Sequence, residues 1–183
     1  MEKKLSKVLF DEESFLKAHE DWAEKLKKSL KSVLDEGRLV IVGIQRGGVS
    51  PAKWLKQYFE KDGFKKIGYG ELDISLYRDD FSERFPSPLA GSHLIEPIER
   101  KVVLLIDDVL FTGRTIRSAL SEVMDYGRPE RIMLAVQVDR GHRELPIQPD
   151  ISVFEIETSK EDHVRVTMSE DESNFEGRVE LWK

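Results

Sequence analysis

An α/β architecture, a twisted and mostly parallel sheet flanked by helices, is the fold class that this 183-residue sequence predicts. Two short apolar runs rich in β-branched residues, Leu39–Ile44 and Val102–Ile106, read as strands covered on both faces. Helical apolar spacing precedes the first run and follows the second. Strands that alternate with helices in this way need βαβ crossovers, hence a parallel, helix-covered sheet. The length fits a single domain, 1–183, that buries about two-thirds of the surface its unfolded chain would expose.

Taken in order, Asp11 is placed to cap a helix whose first turn holds Glu12 and Glu13, acids that the helix dipole favours there. Phe15, Ala18, Trp22, Leu26, Leu30, Val33 and Leu34 recur at helical spacing, and Gly37 is a natural stop. After the strand at 39–44, Ser50-Pro51 reads as a cap followed by a first-turn proline, opening a helix to about Lys61. Leu72, Ile74 and Leu76 alternate with polar residues, the pattern of a half-wet strand. From Arg78 to Arg100 no period survives, and Pro86, Pro88, Gly91 and Pro97 punctuate the stretch. Loops of that length in compact domains are functional or disordered. Beyond the strand at 102–106, Ile116, Ala119, Leu120, Val123 and Met124 form one face of a helix ending near Tyr126-Gly127. Strands are expected at 132–138 and near 151–156, 163–168 and 178–182.

Composition narrows the chemistry. The 29 Lys and Arg residues face 35 Asp and Glu, a formal net charge of −6, which argues mildly against a surface that grips nucleic acid all round. The absence of cysteine excludes disulfides, Fe–S clusters, cysteine zinc sites and thiol nucleophiles, and fits a reducing cytosol. No apolar run approaches the ~20 residues of a membrane span, and Met1-Glu2-Lys3-Lys4 leads into no signal-peptide core. The expectation is a soluble cytoplasmic protein with no membrane partner.

The stretch VVLLIDDVLFTGRT, Val102 to Thr115, concentrates the chemistry. An apolar strand leads to two adjacent carboxylates, then to a small-polar turn and a helix. Ligands of open α/β sheets bind just beyond the carboxyl ends of the strands, where Asp107 and Asp108 stand. Thr112, Gly113, Arg114 and Thr115 would turn N–H groups and hydroxyls toward an anion at the helix start. Carboxylates for hydroxyls beside a cradle for phosphate suit a sugar phosphate. Taken alone, an Asp pair also fits a helix cap or a Mg²⁺ site.

IDDVLFTGRT closely resembles the phosphoribosyl-pyrophosphate (PRPP) signature of type I phosphoribosyltransferases. Together with LDISLYRDD (Leu72–Asp80), DYGRP (Asp125–Pro129) and AVQVDRGHRELPI (Ala135–Ile147), it resembles the PyrR family over roughly residues 38–165. Members of that family are attenuation regulators of pyrimidine operons that also act as uracil phosphoribosyltransferases.

The resemblance implies a type I phosphoribosyltransferase fold, with a flexible loop at about 78–100. A small hood would form from about 140–183 and the N-terminus. It implies that Asp107 and Asp108 hold the ribose hydroxyls, while Val109, Leu110, Phe111, Thr112, Gly113, Arg114 and Thr115 hold the 5′-phosphate. Gln45, Arg46 and Gly47 match the family's pyrophosphate loop, which often holds a non-proline cis peptide; QRGG here replaces the frequent KTRG, shifting the arginine by one position. Arg78 is the candidate for a further pyrophosphate contact. Val138, Arg140 and Val164 would meet uracil. Mg²⁺ would arrive bound to PRPP, without a direct protein ligand, and a dimer or larger homo-oligomer is implied. His19, His93 and His163 read as solvated, and Trp22 and Trp54 as packing residues.

The family's RNA face lies on the first helix, where Glu20, Asp21 and Glu24 occupy positions that carry Thr, Arg and His in relatives. Gln148 and Phe154 occupy further positions that are usually basic, whereas His142 and Arg143 are retained as RNA-contact candidates. Residues 155–183 hold nine acids against four bases. Phosphate contacts dominate RNA affinity, so these carboxylates favour a uracil phosphoribosyltransferase of pyrimidine salvage over a UMP-responsive attenuator. A phosphoribosyltransferase for another nucleobase is the remaining alternative.

Overall fold

The computed structural model describes residues 4–74, 91–94, 96–169 and 175–183. Among them the order is β1 (Leu5–Phe10), α1 (Glu12–Ser29), α2 (Lys31–Asp35), β2 (Leu39–Ile44), α3 (Val49–Lys61), β3 (Gly68–Leu72) and β4 (His93–Leu94). Then follow β5 (Val102–Leu110), α4 (Arg114–Tyr126), β6 (Arg131–Asp139), β7 (Ile151–Glu155), β8 (His163–Met168) and β9 (Gly177–Trp182). A six-stranded sheet runs β4-β3-β2-β5-β6-β7, parallel except for the β3–β4 pair, and a three-stranded antiparallel sheet runs β1-β9-β8.

The continuous apolar strands follow from cover on both faces. Leu39, Ile41, Leu104 and Ile106 pack with Trp22 and Leu26 of α1 and with Leu55 and Phe59 of α3. Their neighbours Val40, Val42, Val103 and Leu105 point the other way, onto Ile116, Ala119 and Val123 of α4. The small sheet closes a third cluster, in which Val164 and Val179 meet Phe15 of α1, Val138 of β6 and Phe154 of β7. Residue 154 is thus a core position, stacked on Phe10 with ring centroids 3.8 Å apart.

Several local expectations shift. Asp11 does cap α1, its Oδ1 accepting from Ser14 N at 3.1 Å. The helix breaks at Leu30, and α2 ends in a Schellman turn at Gly37 (φ +65), with Gly37 N donating to Leu34 O and Arg38 N to Val33 O. α3 starts one residue before Ser50, at Val49, with Gly48 as an N-cap that offers no side chain. The described strand is Gly68–Leu72, which meets the expected alternation only at Leu72; Leu76 lies outside the described residues. The strand's glycines let it lie against β4 and β2, since a Cβ on Gly70 would meet Leu94 at 2.5 Å and one on Gly68 would meet Val40 at 3.0 Å. Met124 is 57% exposed rather than on the buried face. No helix among the described residues is long and apolar enough to cross a membrane.

His19 is not solvated. It is fully buried, with Nδ1 donating to Phe15 O at 2.8 Å and Nε2 paired with the Gln137 side chain at 2.9 Å. Phe15, Trp22, Trp54, Phe154 and Phe175 surround the ring. Burial lowers its pKa from 6.5 to about 4. The unfolded chain therefore binds a proton that the folded one excludes, so the contribution of His19 is complete above pH 6.5 and is lost as pH falls toward 4. Wild type is expected to lose up to about 3 kcal/mol more than His19→Leu over that window. Urea melts of both proteins at pH 7, 5.5 and 4 measure the difference.

Candidate active site

β5 outruns its neighbour. Its pairing with β2 ends at Gly43↔Ile106, whereas its pairing with β6 continues to Leu110↔Asp139. Asp107 and Asp108 therefore lie within β5, not after it, on the stretch that β2 has left. Asp107 is 5% exposed and its Oδ1 accepts from Asp108 N at 3.0 Å. Asp108 is half-buried, and its Oδ1 accepts from Val109 N at 2.8 Å. Burial raises the Asp108 pKa above the usual carboxylate range.

The edge that β2 vacates is filled by the chain turning back from it. Gln45 N donates to Leu72 O at 2.8 Å, the Gln45–Arg46 peptide is cis, and Gly48 N donates to Ile44 O at 2.8 Å. Arg46 is exposed. Gly47 lies so close to Asp108 that a Cβ would overlap the carboxylate, and a Cβ on Gly48 would overlap the Ile106 carbonyl. Glycine at both positions thus lets the 45–48 loop touch the end of β5.

On the other side, Phe111 to Gly113 link β5 to α4. Gly113 has φ +92, a left-handed conformation suited to glycine, and precedes the first helical residue, Arg114. The thirteen-residue helix directs its N-terminus into the same space, with Thr115 in its first turn. The Phe111–Thr115 turn, a cradle of the form that suits an anion, and a Gly-rich loop at 45–48 therefore flank two carboxylates.

The segment after β6 is stitched to this cradle. Arg140 N donates to Leu110 O at 3.1 Å, and Glu144 N and Leu145 N both donate to Thr112 O, at 3.0 and 3.2 Å. Arg114 pairs with Glu144 at 2.8 Å. Arg140 is 5% exposed, with its guanidinium 4.2 Å from the Phe111 ring centroid. It donates to Ser159 O (2.7 Å), Asp162 O (2.8 Å) and Thr158 Oγ1 (3.2 Å), and burial lowers its pKa.

The expected residues thus fall into groups. Asp107, Asp108, the 45–48 loop and the 109–115 stretch from the end of β5 to the start of α4 come together. Val138 and Val164 lie in the third core cluster, with Val138 on β6 between Val109 and Phe154. His142 Nε2 meets Thr158 O at 2.6 Å, and Arg143 is held among protein acceptors. Arg78 lies outside the described residues. Asp139, Glu144 and Thr158 organise the site; the first two carry no sequence signal beyond membership of the DRGHRELPI string, and Thr158 carries none.

Among the described residues no three His, Asp or Glu side chains are grouped to hold a metal. Two adjacent carboxylates furnish only part of the oxygen shell of a divalent ion. Mg²⁺, which keeps waters and binds phosphate oxygens readily, suits such a site when it is carried by a diphosphate ligand.

The phosphoribosyl transferase domain family matches residues 7–171. A bifunctional protein PyrR from Herpetosiphon aurantiacus is 45% identical over 155 residues, covering 80% of this chain and 87% of the relative. The bifunctional protein PyrR from Halalkalibacterium halodurans is 40% identical over 169 residues, covering 91% and 92%. Among solved structures, a hypoxanthine-guanine phosphoribosyltransferase from Leishmania tarentolae in complex with GMP shares the fold, with a TM-score of 0.68 and 13% identity over 98% of this chain and 97% of that one.

Because the folded state raises the pKa of Asp108 above its ordinary 3.8, the folded protein holds the proton better than the unfolded one. Stability is therefore lost as pH rises from 3.8 toward the raised folded-state value. Asp108→Asn, which keeps the acceptor for Val109 N, is expected to melt higher than wild type at pH 7. The gap should close near pH 3, as thermal melts at the two pH values will register.

Proposed function

The chain belongs to the phosphoribosyl transferase domain family and, within it, to the PyrR proteins, and from that premise we propose that it joins uracil to PRPP, giving UMP and pyrophosphate. The observation that carries this reading is the contact of Gly47 with the Asp108 carboxylate. It brings a pyrophosphate-type loop and a phosphate cradle to either side of one carboxylate pair.

In this reading, Asp107 and Asp108 accept hydrogen bonds from the ribose 2′- and 3′-hydroxyls. Their charge also stabilises C1′ as it develops oxocarbenium character. Residues 109–115 hold the 5′-phosphate at the start of α4, where N–H groups and the helix dipole favour an anion. Gln45, Arg46 and Gly47 receive the departing pyrophosphate, with Arg78 as a further donor. Bound Mg²⁺ supplies charge neutralisation of the diphosphate. Val138, Arg140 and Val164 border the base, and the stacking of Arg140 on Phe111 links that border to the phosphate loop. No protein nucleophile is required, which agrees with a chain lacking cysteine.

The second reading is the regulatory one, since the relatives are named bifunctional. The charge on α1 speaks against it. Glu20, Asp21 and Glu24 are all exposed there, and carboxylates repel a phosphate backbone.

Steady-state assays with uracil, hypoxanthine or guanine, each with PRPP and Mg²⁺, are expected to yield UMP and little purine nucleotide. The absence of UMP would overturn the reading. Asp107→Asn should slow UMP formation by about ten- to hundred-fold, the equivalent of one lost charge-assisted hydrogen bond. In a gel shift with a pyrimidine-operon leader RNA, no UMP-dependent complex is expected at nanomolar protein. Formation of one would show that the acidic helix does not prevent RNA binding.

A further inference from the structure

Arg143 is the retained basic residue for which the family resemblance suggests RNA contact, and its surroundings point elsewhere. Its side chain is 12% exposed. Nε donates to Ile147 O at 2.9 Å, and Nη1 donates to Phe111 O and Gly141 O, each at 3.1 Å. Nη2 donates to Asp139 Oδ2 at 2.5 Å. Four of the five N–H bonds of the guanidinium therefore end on protein acceptors. Reaching a phosphate outside the protein would strand the Asp139 carboxylate, itself only 17% exposed, without its cation.

The identity of the acceptors gives the arginine a role. Phe111 belongs to the loop between β5 and α4, whereas Asp139 ends β6 and Gly141 and Ile147 belong to the segment after it. A phosphate cradle needs N–H groups facing inward and carbonyls turned away, because a carbonyl oxygen repels the anion. The Phe111 carbonyl is the one that Arg143 takes. Asp139 anchors the other end of the brace, since its Oδ1 accepts from Gly141 N at 2.9 Å while Oδ2 holds Arg143. The guanidinium thereby fixes the Phe111 carbonyl and the Gly141 turn (φ +73) with one rigid fork.

We infer that Arg143 is a positioning residue for the PRPP subsite: it holds the Phe111 carbonyl away from the phosphate cradle and locks the 111–115 loop to the base-side segment 139–147. The two subsites are then built as one unit, so that order in one is order in the other. The inference rests on the phosphoribosyltransferase reading but not on uracil being the base.

The test compares wild type, Arg143→Gln, Arg143→Lys and Arg38→Gln. Arg38 is a remote control that pairs with Glu36 at 2.5 Å and Glu130 at 2.6 Å. Calorimetric titration with PRPP and Mg²⁺, KM values for PRPP and uracil, and thermal melts are measured on each. Arg143→Gln is expected to weaken PRPP binding ten-fold or more, with Arg143→Lys recovering part of the loss and Arg38→Gln binding as wild type does. PRPP affinity unchanged in Arg143→Gln overturns the inference. Should Arg143→Gln fail to fold, Arg143→Lys carries the test, because an ammonium lacks the fork and should still weaken PRPP binding measurably. Wild type that binds PRPP but makes no UMP refutes the choice of base and leaves the Arg143 comparison intact. Wild type that does not bind PRPP refutes both.

Discussion

The site depends on one divergence in the sheet, the point at which β2 leaves β5. The chain turns to opposite faces at these two strands: β2 feeds α3 on one side and β5 feeds α4 on the other. That reversal opens a crevice at the carboxyl ends of neighbouring parallel strands, where open α/β sheets take their ligands. β5 runs on along β6 past its last partner in β2 and so presents Asp107 and Asp108 at the lip. Two glycines, Gly47 and Gly48, let the returning loop close against that lip. A larger residue would push the loop off the Asp108 carboxylate at position 47 and off the Ile106 carbonyl at position 48. The half-buried, hydrogen-bonded Asp108 is thus a product of the topology, and its raised pKa is the energetic trace of the crowding. Carboxylates held in this way favour ligand chemistry at the expense of folding free energy.

The rest of the molecule holds the other side of the crevice still. Apolar packing does this in the sheet, but between β6 and β7 the chain has few apolar residues and relies on polar anchors. Arg140 and Arg143 bind backbone carbonyls rather than carboxylates alone, so each guanidinium orders several turns at once. His19 plays a comparable part beneath them. Fully buried and paired with Gln137, it joins α1 to β6 one residue before Val138. An aromatic shell drawn from α1, α3, β7 and the residues before β9 keeps it neutral. Neutral imidazole inside and charged guanidinium at the border mark where solvent exclusion stops.

The sequence was legible wherever burial on two faces forced a continuous apolar run or where one string combined strand, carboxylates and turn. β2, the start of β5, α4 and the importance of the Asp107–Thr115 stretch follow from that alone, although the strand runs on through Leu110. β1 was not legible, because Leu5 and Val8 remain 48% and 42% exposed and supply no alternating core face. β3 was hidden by Gly68 and Gly70, residues that sequence patterns assign to turns but that close strand packing requires here. His19 looked like any surface histidine because its partner Gln137 lies 118 residues away. The same holds for Arg143, whose acceptors are mostly main-chain oxygens and therefore leave no mark in residue types. The resemblance named the region; only the geometry shows which way its side chains face.

Charge distribution separates the two activities implied by the family. The carboxylates at the crevice are constrained by neighbours within β5 and the 45–48 loop. Those on the outer face of α1 are of two kinds. Glu24 has local partners, Lys27 at 2.5 Å and the Tyr58 hydroxyl at 2.8 Å, and these hold its pKa below the usual value. Through Lys27 the network continues to Asp62 beyond α3. A base at position 24 would face Lys27 and break that network. Exposed ion pairs of this kind contribute little stability, so the network decides local charge compatibility rather than the fold. Glu20 and Asp21 are exposed, and their inner neighbours, His19 and Trp22, already fill the helix's buried face. Charge on that outer face is therefore set independently of the residues at the end of β5. A chain of this fold can exchange a basic helix face for an acidic one while Asp107, Asp108 and the two loops keep their arrangement.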